Sequence, residues 1–161
     1  MKGYYFVFVC CMTFFTISCQ KDDSGSGTTT KTKTELIASS SWKYNDAQID
    51  SDNNGTGDLP LPTGIVEACQ TDNVIVFTAN GSGSVDEGPT KCSPGDPQTI
   101  PFTWNFSSNE TILNFSSAVF AGVGGDFKII SLTDTQLVLS KQISLTVPLP
   151  VQVTVIITFK H

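Results

Sequence analysis

From Leu137 to Phe159 the apolar residues fall on odd positions: Leu137, Leu139, Ile143, Leu145, Val147, Leu149, Val151, Val153, Val155, Ile157 and Phe159. From Ser144 onward the even positions are Ser, Thr, Pro, Gln or Lys, apart from Ile156, and the apolar wall is broken only by Lys141. Successive side chains of a strand point to opposite faces, so this is β-structure with one apolar and one polar wall, a segregation no helix can produce. One strand of that length is implausible, and proline cannot donate to a central ladder. The pattern therefore predicts a hairpin folded at Pro148-Leu149-Pro150, with Val147 facing Val151, Leu145 facing Val153 and Ile143 facing Val155. A three-residue link keeps every odd residue on one side.

A chain of 161 residues, 39% of them hydrophobic, supports one domain with a real core. It carries nine lysines, no arginine and a net charge of −6. Phosphate backbones are bound by clustered cations, and bases are most often read by arginine, so this composition argues against nucleic acid as a partner.

The N-terminus has its own logic. Lys2 is followed by an uncharged apolar run from Tyr4 to Ile17 and then by Ser18-Cys19. A basic start, an apolar stretch too short for a comfortable span and a small residue before cysteine resemble a bacterial lipoprotein signal, although Thr16 stands where leucine is commonest. The resemblance implies removal of residues 1–18 and a diacylglycerol and acyl chains on Cys19. Each buried CH₂ contributes ~0.8 kcal/mol, so two or three chains amount to a membrane anchor. Gln20-Lys21-Asp22-Asp23 resembles the acidic export signal behind the lipidated cysteine of Bacteroidota surface lipoproteins; its plain alternative is a charged spacer. The expected location is the outer membrane, facing the exterior, with the periplasmic face as the alternative. Residues 24–33 contain no apolar side chain and read as a flexible tether, so that residues 20–33 span roughly 20 Å on average.

The domain proper is expected over 34–161. Thr34 to Ser40 reads as one or two helical turns with Thr34 as the cap, running into a strand with Trp42 and Tyr44 on one face. A short helix followed by a strand-borne tryptophan resembles the start of bacterial lipocalin-like domains, where that tryptophan plugs the closed end of the barrel. Ser40 stands where lipocalins proper carry glycine, and the arginine that stacks on their tryptophan has no counterpart here. The resemblance is to the small lipocalin-like lipoproteins and covers about Glu35 to Lys160.

Asp50, Asp52 and Asn54 at alternate positions before Gly55, with Asp58 beyond, reproduce the first half of a calcium loop, but the twelfth position is Leu61 rather than glutamate. The other reading is an Asp/Asn/Gly turn, and no metal or other cofactor is expected. Asn80-Gly81 predicts a type I′ turn between strands 73–79 and 82–87. In the register centred on that turn Cys69 lies opposite Cys92, within disulfide reach, and closing the loop would contribute ~3 kcal/mol; zinc binding or a reactive thiol is the rival use of these cysteines. Thr99 to Phe106 alternates with Ile100, Phe102, Trp104 and Phe106 inward. Phe120 to Gly125 reads as a glycine-rich rim loop.

With 41–49, 110–116, 126–132, 135–147 and 151–160, this makes about eight strands. The expected fold is an all-β, up-and-down antiparallel barrel of lipocalin type with a short N-terminal helix; a β-sandwich of the same strands is the alternative. The fold resemblance implies a barrel that takes a small hydrophobic ligand, with Phe102, Trp104, Phe106, Leu145 and Val153 as lining. The competing reading is a non-enzymatic module that holds a protein partner at the cell surface. Catalysis is disfavoured, since the sole histidine is His161 and no Gly-x-Ser-x-Gly element occurs.

Overall fold

The computed structural model describes residues 30–145 and 150–161. The leader over 1–18, Cys19, the Gln20–Asp23 motif, residues 24–29 of the tether and Val147, Pro148 and Leu149 lie outside the described residues.

The alternating segment forms β8 (Gln136–Leu145) and β9 (Val151–Lys160), an antiparallel pair with Leu137 opposite Phe159 and Leu139 opposite Ile157. Leu145 faces Val151 and Ile143 faces Val153, so the register differs by two residues from the expected one. Two is the period of the strand, so every odd side chain keeps its face.

Before this pair run α1 (Lys33–Ile37), β1 (Ser41–Asp50), β2 (Leu59–Pro60), a 3-10 turn at Ala68–Gln70, β3 (Val74–Phe77), β4 (Ser82–Asp86), β5 (Thr99–Ser107), β6 (Ile112–Phe120) and β7 (Val123–Leu132). Strands β3 to β9 form a sequential antiparallel meander. β1 then closes it, pairing with β3 through Ser41–Lys43 and with β9 through Lys43–Asp50. A bulge between Tyr44 and Asp46 bends β1 just beyond the point where its pairing with β3 ends. The result is a closed eight-strand barrel, not a sandwich, with β2 added outside on Gln48 and Ile49.

Three local expectations need correction. The cap lies two residues earlier than expected, at Thr32 rather than Thr34: Thr32 Oγ1 accepts from Glu35 N, and the Glu35 carboxylate accepts from Thr32 N at 2.7 Å. This reciprocal capping box outcompetes a lone threonine. The Asn80-Gly81 hairpin is not a two-residue type I′ turn. Val74 faces Asp86 and Phe77 faces Gly83, leaving Ala79-Asn80-Gly81 as a three-residue loop with Gly81 at φ +85°. Such a loop, a turn closed by a left-handed glycine, suits strand twist equally well, and the Asn80 carboxamide oxygen accepts from Ser82 N at 3.0 Å. Finally, residues 120–125 are no open loop. β6 and β7 extend to a tight turn at Ala121-Gly122, both at positive φ, as a type I′ turn requires.

The closed end is built around Trp42, which is fully buried. Its indole N–H donates to the Ile37 carbonyl at 2.8 Å, tying helix to strand, and the His161 ring lies on it at 3.9 Å between centroids. A histidine thus takes the position over the tryptophan for which this chain has no arginine. Lys33 reaches the Glu110 carbonyl and Lys31 the Asp134 carboxylate, so the N-terminal segment also holds the β5–β6 and β7–β8 turns.

Candidate functional site

The lower barrel is filled. Phe77 meets Phe102 and Trp104 edge-on, each at 5.5 Å, and Phe115 in turn meets Phe102 and Phe127. Edge-to-face rings at such spacings are a favourable aromatic packing. The space left among Trp42, Phe77, Phe115 and Phe127 is only about 10 Å³, an apolar gap too small for an organic guest.

The upper barrel is different. Beyond Phe120 and Ile157 lies an apolar cup of about 270 Å³. Its walls come from three elements: Ile143 and Leu145 of β8, Val155 and Ile157 of β9, and Phe120, Ala121 and Val123 from the β6–β7 hairpin. The fourth side is the connection after β2, which brings Leu61, Ile65 and Val66 across the mouth. Each contribution follows from local rules. Odd residues of β8 and β9 face inward, the type I′ turn holds the hairpin upright, and β2 pins the connection to Gln48 and Ile49. The floor is Phe120, stacked on Tyr44 at 5.0 Å and edge-on to Phe159 at 5.5 Å. Burial, reinforced by the neighbouring Asp46 carboxylate, pushes the Tyr44 hydroxyl above its usual pKa.

Among the described residues, Lys141 and Ser144 are the only polar side chains in this lining. The Lys141 ammonium donates to the Asp126 carbonyl at 2.9 Å and lies 4.7 Å from the centre of the Phe127 ring. A larger groove of about 430 Å³ runs along the outer wall past Asp50, Asp126, Lys128 and Gln142, but its lining is mostly polar and it is open to solvent.

Of the five residues expected to line a ligand, Leu145 alone borders the cup. Phe102 and Trp104 are core, 4% and 6% exposed, and Phe106 packs half-buried against Trp104 at 5.3 Å. Val153 is half-buried against the core and borders an outer cleft beside Ile49 and Leu59. For Phe102, Trp104 and Phe106 the difference is one of height, since their strand spans the barrel and they sit in its filled lower part, whereas Val153 stands as high as Ile143 but borders the outer cleft instead of the cup. The signal for height was present. Trp42 marks the closed end, Phe159 lies beside it on β9, and the opposite ends of β8 and β9 must therefore form the mouth. Phe120 and Val123 were hidden by reading their hairpin as a loop.

The loop over 50–58 brings oxygens of Asp50, Asp52 and Asp58 within 4.8 Å of one another. Those oxygens serve the loop itself. Asp50, 3% exposed, accepts from Asn54 N and Gly55 N; Asp58 accepts from the Ser51 hydroxyl and amide; Asn54 N and its carboxamide donate to Asp52. The Ser51 hydroxyl, then its amide, hold the Asp58 carboxyl below its usual pKa. These are the bonds of a nested Asx turn, and Leu61, at the position a calcium loop gives to glutamate, faces the cup.

Cys69 and Cys92 are joined as a disulfide, with Cα atoms 5.1 Å apart. They do not meet in the hairpin register, which ends at Val74 and Asp86; the 3-10 turn at Ala68–Gln70 carries Cys69 across. The bridge ties the connection that forms the lid to the β4–β5 loop.

The model of the lipocalin-like domain family matches residues 39–139. No curated protein matches the chain. A Trp-plugged, closed antiparallel meander with an apolar cup at its other end, together with a family match over most of the chain, means that the chain belongs to the lipocalin-like domain family.

Proposed function

We propose that this protein is a lipid-anchored lipoprotein on the outer face of an outer membrane, whose barrel takes one small hydrophobic molecule into the cup beside Leu145. The observation that carries the binding half is the cup itself. It is a mostly apolar hollow of about 270 Å³ that opens at the mouth of a barrel whose other end is sealed. That volume lies just below the usual range for ligand pockets, which selects a small guest. Among the described residues the lining offers one amine and one hydroxyl and no carboxylate or imidazole, a set that suits binding better than acid–base chemistry.

Anchoring rests on the leader and on Cys19, with Gln20, Lys21, Asp22 and Asp23 as the export signal. The helix begins at Lys33, so a short tether separates the lipid from the barrel. Mass spectrometry of the mature protein should find a diacylglyceryl cysteine at position 19 as its first residue, and protease added to intact cells should remove the barrel. An unmodified N-terminus that retains residues 1–18 would contradict the anchor.

For the binding half, isothermal titration with small apolar probes such as decanol should give saturable 1:1 binding that Leu145→Trp abolishes while the fold is retained. The filled lower barrel favours a second reading, an interaction module holding a surface protein partner. That reading predicts a partner recovered from intact cells whose capture Leu145→Trp does not affect.

A further inference from the structure

The ladder between β7 and β8 stops at Lys128 and Ser140. Above that rung, among the described residues, β7 pairs only with β6, and β8 only with β9. The barrel wall is therefore split beside the cup, and Lys141 stands at the split. Its ammonium reaches the Asp126 carbonyl across the gap, and it borders both the apolar cup inside and the polar groove outside. An ammonium has three donors, and the Asp126 carbonyl takes one of them. Lys141 is half-buried, and its ammonium stands between the apolar cup and the solvent-open groove, held by the Asp126 carbonyl and the face of the Phe127 ring.

Resting on the binding function above, we propose that the guest is an anionic amphiphile: its single apolar chain fills the cup, and its carboxylate or phosphate monoester head bonds the Lys141 ammonium at the split in the wall. Lys141 is then the residue that sets specificity, and the apolar lining supplies affinity without discriminating heads. A charge-assisted hydrogen bond in a partly shielded site corresponds to a preference of about ten- to a hundredfold for the anion over an uncharged head.

The test is titration of the full chain with decanoate, decyl phosphate and decanol, on the native sequence and on Lys141→Met and Lys141→Arg. At least one anion is expected to bind about ten- to a hundredfold more tightly than decanol, with the tighter of the two identifying a carboxylate or a phosphate source. Lys141→Met should erase that preference, bringing the ratio of anion to decanol affinity to about one, and Lys141→Arg should restore it. If decanol binds as well as both anions on the native protein, the inference is overturned while the hydrophobic site stands. If none of the three binds, both fail. The comparison on the native protein decides even where a variant misfolds.

Discussion

Lys141 and Ile156 are the two residues that break the alternation of the last hairpin, and each does so for a local reason. Ile156 points outward yet is only 7% exposed. It stands between Ser140 and Gln48, on a face crossed by the 50–58 loop, where Asn53 bonds Thr154 and Gly55 lies against Ile130. Lys141 points inward because the wall is open beside it. The sequence announced both exceptions, but their cause lies in a loop position and a broken ladder that periodicity does not encode. Two single substitutions test this scale. At Gly124 an added Cβ would stand 2.3 Å from the Ser117 carbonyl oxygen, where β6 bulges toward β7, so Gly124→Ala should destabilise by about 1–3 kcal/mol in urea unfolding. His161→Ala removes the ring over Trp42 and should cost about 0.5–1 kcal/mol by the same measurement. An unchanged midpoint in either variant would remove that contact from the account.

At the scale of elements, alternation of apolar and polar residues locates the strands, while turns and links depend on local geometry that alternation does not carry. β5 appears where its aromatics alternate, and β8 and β9 keep their faces despite a shifted register, because a slip by two residues costs no burial. The Cys69–Cys92 bridge was foreseen from a hairpin register that is not the one adopted; proximity survived because both cysteines lie past the ladder, where a 3-10 turn brings them together. Replacing both with alanine should lower stability by about 3 kcal/mol, consistent with a loop of this length, and loosen the lid segment. A calorimetric scan without and with reductant would show the same loss on the native chain. The capping box gives a pH prediction. The Thr32 amide, then its hydroxyl, hold the Glu35 carboxyl below its usual pKa in the folded state. A folded pKa below the unfolded one means that this stabilisation is present above the ordinary carboxylate range and is lost as pH falls through the folded value. Melting temperature should therefore drop as pH goes below about 4, and Glu35→Gln should flatten that drop. An identical pH profile in the variant would show that the box contributes nothing.

At the scale of the whole molecule, a tryptophan, a histidine and a one-turn helix seal one end, a plug of rings fills the lower half, and strand ends with a disulfide-tied connection shape the cup above. The barrel was legible because eight alternating segments in series have few other ways to hide one face. The position of the cup was not, since height along a strand depends on register around the whole ring. The central claim is that a guest enters at the upper end and nowhere else. Methyl NMR of the isotope-labelled protein during titration with decanol tests it most directly. The account predicts saturable shifts at Leu61, Ile143, Leu145 and Val155, with Leu113 and Leu137 unmoved at the filled end. Shifts centred on Leu113 and Leu137, or no saturable shift at the mouth, would contradict it.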